Sequence, residues 1–215
     1  MVFELTDELV FPDPRLGEPD GLIAVGGDYS TERLLLAYSN GIFPWSAFRN
    51  NQKLWFCPLQ RFVIFPEEIH ISHSMRNLLR KNLYEVSINR DFEGVIRNCG
   101  ELRYNQQGAW LGEEVVEAYT RLHHEGWAAS FEVWEKGKLV GGLYGVTIGN
   151  TFIGESMFSL VPNASKIALI ALAQFLTDNG GRMIDCQLET PHLRSMGGRY
   201  ITYDEYMKIL NDDES

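Results

Sequence analysis

Few residues in this 215-residue chain have types and spacings suited to chemistry. Asp185 and Gln187 occupy alternate positions of the apolar run Met183 to Leu188, which predicts a short buried strand. On a strand both side chains share one face. A carboxylate beside an amide that donates and accepts can orient an amine and help it lose a proton. The same pair also reads as a strand-end device that satisfies backbone groups. Glu155 stands in Gly154-Glu155-Ser156 at a predicted strand end. The flanking glycine permits close approach of backbone or substrate, although a lone glutamate is as readily a solvated surface charge. His73, Arg76 and Arg80 share one face of a predicted helix with Lys81 beside them; this is a small basic patch or a solvated face.

Other chemistries are excluded. Gly26-Gly27-Asp28 lacks the following Gly-Lys-Ser/Thr of a phosphate loop. His123, His124 and His192 have no metal-ligand spacing with other ligands, and Cys57, Cys99 and Cys186 are odd in number and scattered. We therefore expect no metal, no disulfide framework and a reducing, cytoplasmic setting. No apolar run approaches the roughly 20 residues of a membrane span. The acidic start, Met1 to Glu8, lacks a signal-peptide pattern. A net charge of -10 argues against a general nucleic-acid binder but leaves room for a protein that grips one RNA end.

The elements that must position these residues follow from the punctuation. Glycine and proline break the first third into short pieces. Ser30 and Gly41 bracket a capped helix, and further helices are predicted over Ser74–Asn82 and Phe92–Cys99, with a strand at Tyr84–Ile88 between them. From Gly112 the pattern is regular: a helix over Glu113–Glu125, then strands Ala128–Trp134, Leu139–Ile148 and Thr151–Met157 joined by two hairpin turns. A long apolar helix then runs from Asn163-Ala164-Ser165-Lys166 to about Asp178, before the Met183 strand. This order predicts an α+β fold, an acetyltransferase-like (GNAT-like) C-terminal lobe over 101–215 and a smaller α+β N-terminal lobe over 1–100. The boundary is expected between Gly100 and Gln107.

Eight phrases, in order, resemble the leucyl/phenylalanyl-tRNA–protein transferase family. They are Gly21 to Asp28 (GLIAVGGD), Gly41-Ile42-Phe43-Pro44-Trp45, His70-Ile71-Ser72, and Val115 to Tyr119 with Arg121-Leu122-His123. Then come Gly141-Gly142-Leu143-Tyr144-Gly145, Gly154 to Ser159 (GESMFS), Asn163-Ala164-Ser165-Lys166 and Ile184-Asp185-Cys186-Gln187. The likeness extends from about Phe11 to Leu210.

The resemblance implies an aminoacyltransferase that moves leucine or phenylalanine, and weakly methionine, from charged tRNA to the α-amine of proteins beginning with Arg or Lys, marking them for N-end-rule degradation. The ester is already activated, so no cofactor is expected. It implies that Asp185, Gln187 and Glu155 are catalytic and that Trp45, Trp110 and Tyr119 contact the 3′-adenosine of the tRNA. Leu143, Phe152, Met157, Leu169, Leu172, Leu176 and Ile184 would form the amino-acid side-chain pocket. Family members can carry phenylalanine at the positions of Leu172 and Leu176. His73, Arg76, Arg80 and Lys81 would meet acceptor-stem phosphates, with Asn77 replacing one basic position, and the protein would act as a monomer. An acyl-CoA-dependent N-acetyltransferase is the chief rival. That class holds its cofactor's pyrophosphate on a glycine-rich helix start, which Asn163-Ala164-Ser165-Lys166 does not provide. A non-catalytic tRNA-end-binding module would explain the aromatics and the basic helix but not the Asp185/Gln187 pair.

Overall fold

A computed structural model describes residues 2–46, 52–107 and 112–212. In chain order the strands and α-helices are β1 (Phe3–Leu5), β2 (Leu22–Gly26), α1 (Thr31–Ser39), β3 (Phe43–Ser46), β4 (Lys53–Phe56), β5 (Gln60–Ile64), α2 (His73–Arg80), β6 (Glu85–Ile88) and α3 (Phe92–Gln107). They continue with α4 (Glu113–His124), β7 (Ala128–Glu135), β8 (Lys138–Ile148), β9 (Thr151–Ser159), α5 (Ala164–Asp178), β10 (Met183–Asp185), α6 (Pro191–Ser195), β11 (Arg199–Thr202) and α7 (Tyr203–Leu210).

Two sheets result. The smaller has the order β1-β2-β4-β3, and the larger β11-β5-β10-β9-β8-β7-β6. In the larger sheet β9 and β10 are parallel and the other neighbours antiparallel. Period-two alternation divides its side chains between two layers. On β8 and β9, Tyr144 and Ile153 face a core built with α1, α3 and α4, while their neighbours Leu143 and Phe152 face a core built on α5. Capping follows the sequence: Ser30 accepts from the Arg33 N–H at α1, and Thr202 and Glu205 form a reciprocal capping box at α7. No described helix is long and apolar enough to cross a membrane.

Two expected element bounds change. The helix from Phe92 continues past Cys99 to Gln107, because nothing after Gly100 breaks it and Leu102 still packs on the core. It therefore crosses Gly100 to Gln107, where the lobes were expected to part, whereas the sheets separate between β4 and β5. The strand expected over Met183–Leu188 ends at Asp185, since Gln187 adopts φ 56, a left-handed conformation incompatible with extended pairing.

Candidate active site

The site lies where the two parallel strands part. β10 pairs with β9 from Met183↔Thr151 to Asp185↔Ile153 and then stops, while β9 runs on to Ser159. The residues just beyond the last pair, Gly154 to Met157 on one side and Cys186 and Gln187 on the other, line a cavity of about 380 Å³. That volume suits a small-molecule group. Leu143, Phe152, Met157, Leu169, Leu172 and Ile184 supply its apolar wall. Six of the seven side chains expected to form a pocket thus converge. Leu176 does not line the cavity; it is buried one turn beyond Leu172 and packs against Gly181.

Glu155 reaches this cavity through a β-bulge. Tyr144 pairs with Ser156 but Gly145 pairs with Gly154, so Glu155 is the extra residue. Such bulges re-aim a side chain. Gly145 makes this one possible, because a Cβ there would lie 2.2 Å from the Ile153 carbonyl oxygen. The Tyr38 hydroxyl donates to Glu155 Oε1 at 2.6 Å and accepts in turn from the Tyr119 hydroxyl. Burial, then the Glu155 charge, push both phenols well above their ordinary range, so they remain donors.

Asp185 is fully buried and surrounded by donors. Arg61 Nε donates to Oδ1 and Oδ2 at 2.9 and 3.1 Å, and Arg61 Nη2 donates to Oδ2 at 2.9 Å. The Tyr206 hydroxyl donates to Oδ2 at 2.9 Å and the Gln187 N–H to Oδ1 at 2.9 Å. Arg61 lies between the rings of Phe43 and Tyr206, 4.7 Å from each centroid, and its Nη2 also donates to the Gly41 carbonyl. Burial alone would lower the guanidinium's pKa; the Asp185 charge reverses this and leaves it raised. This network holds both carboxylate oxygens of Asp185, which itself lines the cavity, and through the Gln187 N–H it fixes the backbone beside it. The face-sharing argument for Asp185 and Gln187 fails with the strand; a hydrogen bond from backbone to carboxylate joins them instead.

The remaining expected residues are dispersed. Trp45 is half-buried in β3, its ring near Phe43 and Phe56. Trp110 lies outside the described residues. Tyr119 is buried against Tyr144, so it offers no face on which a base could stack; its hydroxyl serves Tyr38. His73, Arg76, Arg80 and Lys81 are all exposed on or just after α2, where Asn77 bridges His73 and Arg80 weakly. Sequence reasoning missed Arg61, Tyr206 and Tyr38, and it missed Thr190, His192 and Leu193 on the cavity wall. The available signal was Gly145 opposite Gly154, which marks the bulge.

With this geometry in place, the chain can be compared with known proteins. A family model described as leucyl/phenylalanyl-tRNA protein transferase matches residues 63–211, and one for that family's N-terminal domain matches 27–59. A leucyl/phenylalanyl-tRNA–protein transferase of Syntrophobacter fumaroxidans is 50% identical over 99% of this chain and 91% of its own length. One from Flavobacterium psychrophilum is 49% identical over 96% and 98%. Among solved structures, a possible acetyltransferase from Clostridium difficile is similar over 45% of this chain and 70% of its own, at 16% identity and a TM-score of 0.35.

Proposed function

The chain belongs to the leucyl/phenylalanyl-tRNA–protein transferase family, and from that premise we propose that the cavity between β9 and β10 receives the aminoacyl end of leucyl- or phenylalanyl-tRNA. The enzyme transfers an aminoacyl group from tRNA to protein. The observation that carries the proposal is one cavity whose apolar wall of Leu143, Phe152, Leu169, Leu172 and Ile184 adjoins Glu155 and Gln187. The leucine or phenylalanine side chain enters the apolar part, which brings its ester carbonyl to the polar residues. The acceptor is the α-amine of a protein beginning with Arg or Lys, and Glu155 holds its cationic groups. Such an acceptor is a substrate of N-end-rule degradation.

The amine nitrogen attacks the ester carbonyl, an amide forms, and the ribose oxygen of the tRNA leaves. Positioning and stabilisation of the developing oxyanion lower the barrier; Gln187 is placed for this by Asp185. Trp45 and Trp110 contact the terminal adenosine, while Tyr119 acts one layer behind through Tyr38. The exposed cations of α2 hold the acceptor stem. The protein acts as a monomer. Its working division is a small N-terminal unit that carries Trp45 and a catalytic unit that carries the cavity and α2, meeting between β4 and β5, which the change of sheet there supports.

The test is incubation of the full chain with labelled leucyl-tRNA and peptides beginning with Arg or Ala. Label is expected on the Arg peptide without added ATP, metal or coenzyme A. Transfer that requires acetyl-CoA, or binding of charged tRNA without turnover, would overturn the reading.

A further inference from the structure

We propose that the acceptor polypeptide docks by its main chain, its first residues adding to the larger sheet as a short parallel strand beside Met157 to Ser159 of β9. The proposal rests on the aminoacyl-transfer reading above and names how the acceptor reaches that site.

β9 is an interior strand for only part of its length. β10 covers it from Thr151 to Ile153, and all three of those residues are buried. Beyond that pair the chain of β10 turns aside with β5. The Cys186 N–H donates to the Phe62 carbonyl at 3.0 Å, and the Phe62 N–H donates to the Gln187 carbonyl at 3.3 Å. The chain then leaves for α6, whose Leu193 packs in the α5 layer. A wedge therefore opens between β9 and β10, with the cavity at its closed end. Among the described residues, no strand pairs with this side of β9 beyond Ile153. Gly154 to Met157 and Ser159 are partly exposed there, and Phe158 alone in that stretch is buried.

The register shows which backbone groups face the wedge. The Leu160 N–H donates to the Val140 carbonyl at 2.8 Å, so these two form a hydrogen-bonded pair. Bonded and non-bonded pairs alternate along antiparallel strands. Phe158 with Gly142 and Ser156 with Tyr144 are therefore bonded pairs, whereas Met157 with Leu143 and Ser159 with Gly141 are not. The N–H and C=O groups of Met157 and Ser159 thus point away from β8 and towards the wedge. Among the described residues, no loop or cap bond takes them up. The Ser159 hydroxyl accepts from the Ser165 N–H and donates to the Val161 carbonyl, which pins the end of this edge. Such a row of donors and acceptors is the template that an extended peptide fills. A tRNA end has no regular alternation of N–H and C=O to match it.

The chemistry fixes the polarity. The acceptor's amine must lie at the cavity, beside Glu155 and Gln187. Its chain then runs outward in the direction of β9, parallel to it, as β10 does. With residue 2 of the acceptor opposite Met157, the Met157 N–H donates to the carbonyl of residue 1, and the N–H of residue 3 donates to the Met157 carbonyl. The Ser159 N–H donates to the carbonyl of residue 3, and the N–H of residue 5 donates to the Ser159 carbonyl. The N–H of residue 4 faces the other way and takes no part. These bonds read no side chain, so choice among acceptors stays with the first residue, whose charge Glu155 meets.

The test uses the unaltered full chain, leucyl-tRNA and Arg-initiated hexapeptides, each carrying one N-methylated backbone amide. Absence of transfer to the unmethylated peptide refutes the parent reading itself. Given transfer, methylation at residue 3 or residue 5 is expected to lower kcat/KM roughly tenfold each, since a hydrogen bond to the edge is lost. The loss should appear in KM, with kcat within about twofold, as for binding shared by ground and transition states. Methylation at residue 4 should leave kcat/KM within about threefold of the parent peptide, its N–H having no partner to lose. In a series lengthened one residue at a time from Arg amide, KM should fall on adding residues 3 and 5 and hold on adding residue 4. Equal losses at residues 3, 4 and 5, no loss at any of them, or a KM indifferent to length would overturn the proposal. The last two results are those expected if the wedge takes the tRNA end instead.

Discussion

Asp185 ends β10 and Glu155 lies midway along neighbouring β9, and both border the same cavity, yet the fold treats them oppositely. Asp185 is enclosed: a bidentate arginine, a tyrosine hydroxyl and a backbone N–H fill its oxygens. Glu155 is set out on a bulge, partly exposed, and anchored to the hydroxyl of Tyr38, which Tyr119 backs in turn. The difference teaches that two carboxylates on one cavity can be held in opposite ways: Asp185 is fully buried and matched by fixed donors, while Glu155 is partly exposed. A second contrast separates Leu172, which lines the cavity, from Leu176, which backs it.

The sharpest way to break this comparison is Asp185→Ala. It strands the Arg61 guanidinium, already buried with Nη1 unpartnered. Breaking a buried pair by removing one member costs about 3–5 kcal/mol. In a protein of this size each kcal/mol lowers the melting temperature by roughly 2–4 °C. We expect a loss of stability of that order together with a loss of turnover. If the variant melts like the parent while turnover collapses, Asp185 acts directly and the distinction between the two carboxylates falls.

Glu155→Gln tests the other side. The amide oxygen can still accept from Tyr38, so melting should move little. The variant loses the charge proposed to meet the acceptor's ammonium. Hydrogen bonds to charged groups are worth about 1.5–3 kcal/mol, so kcat/KM for an Arg-initiated peptide should fall roughly 10- to 100-fold. An undiminished rate, or an unfolding transition shifted as far as that of Asp185→Ala, would place Glu155 with the supporting layer.

Leu172→Ala and Leu176→Ala sharpen the distinction on the apolar side. Enlarging the cavity should favour phenylalanyl over leucyl donor by about tenfold, within the 1–3 kcal/mol that a methylene is worth in such pockets. Leu176→Ala should lower stability and leave the donor ratio alone, since it empties space in the backing core. Competition between the two charged tRNAs measures the ratio for both variants. Equal changes in that ratio would erase the boundary drawn between wall and core.

The order of the eight motif phrases made the family legible, and the same resemblance supplied the six side chains that line the cavity; period-two and helical patterns made five strands of the larger sheet legible but not β5 and β11. What stayed hidden depends on contacts between distant segments. Arg61 meets Asp185 because β5 lies beside β10, 124 residues on. Nothing near Arg61 in the chain announces that pairing. Tyr206 and Tyr38 are hidden for the same reason. The Asp185/Gln187 relation was half visible: the two do act together, but an alternating strand was the wrong geometry because Gln187 is left-handed. His192 was weighed only as a metal ligand, a reading blind to the cavity on which it lies.

The smallest effect belongs to α2, a region that the cavity does not touch. Arg76, Arg80 and Lys81 are exposed on a chain of net charge -10, so any grip on the acceptor stem is local. Each phosphate neutralised releases counterions, and log affinity should fall with log salt by about 0.7–0.9 per contact. Three contacts give a slope of roughly 2–3, shallow beside a dedicated nucleic-acid binder. Arg80 keeps only a 3.5 Å contact to Asn77, so its loss disturbs little of the helix. Arg80→Ala should weaken leucyl- and phenylalanyl-tRNA alike, because phosphate contacts position and do not specify. It should also make the salt slope about one unit shallower. Binding measured across a salt series, together with donor competition, tests both statements. An unchanged slope accompanied by an altered Leu/Phe ratio would mean that α2 reports on the cavity after all, and the separation of grip from chemistry would have to be abandoned.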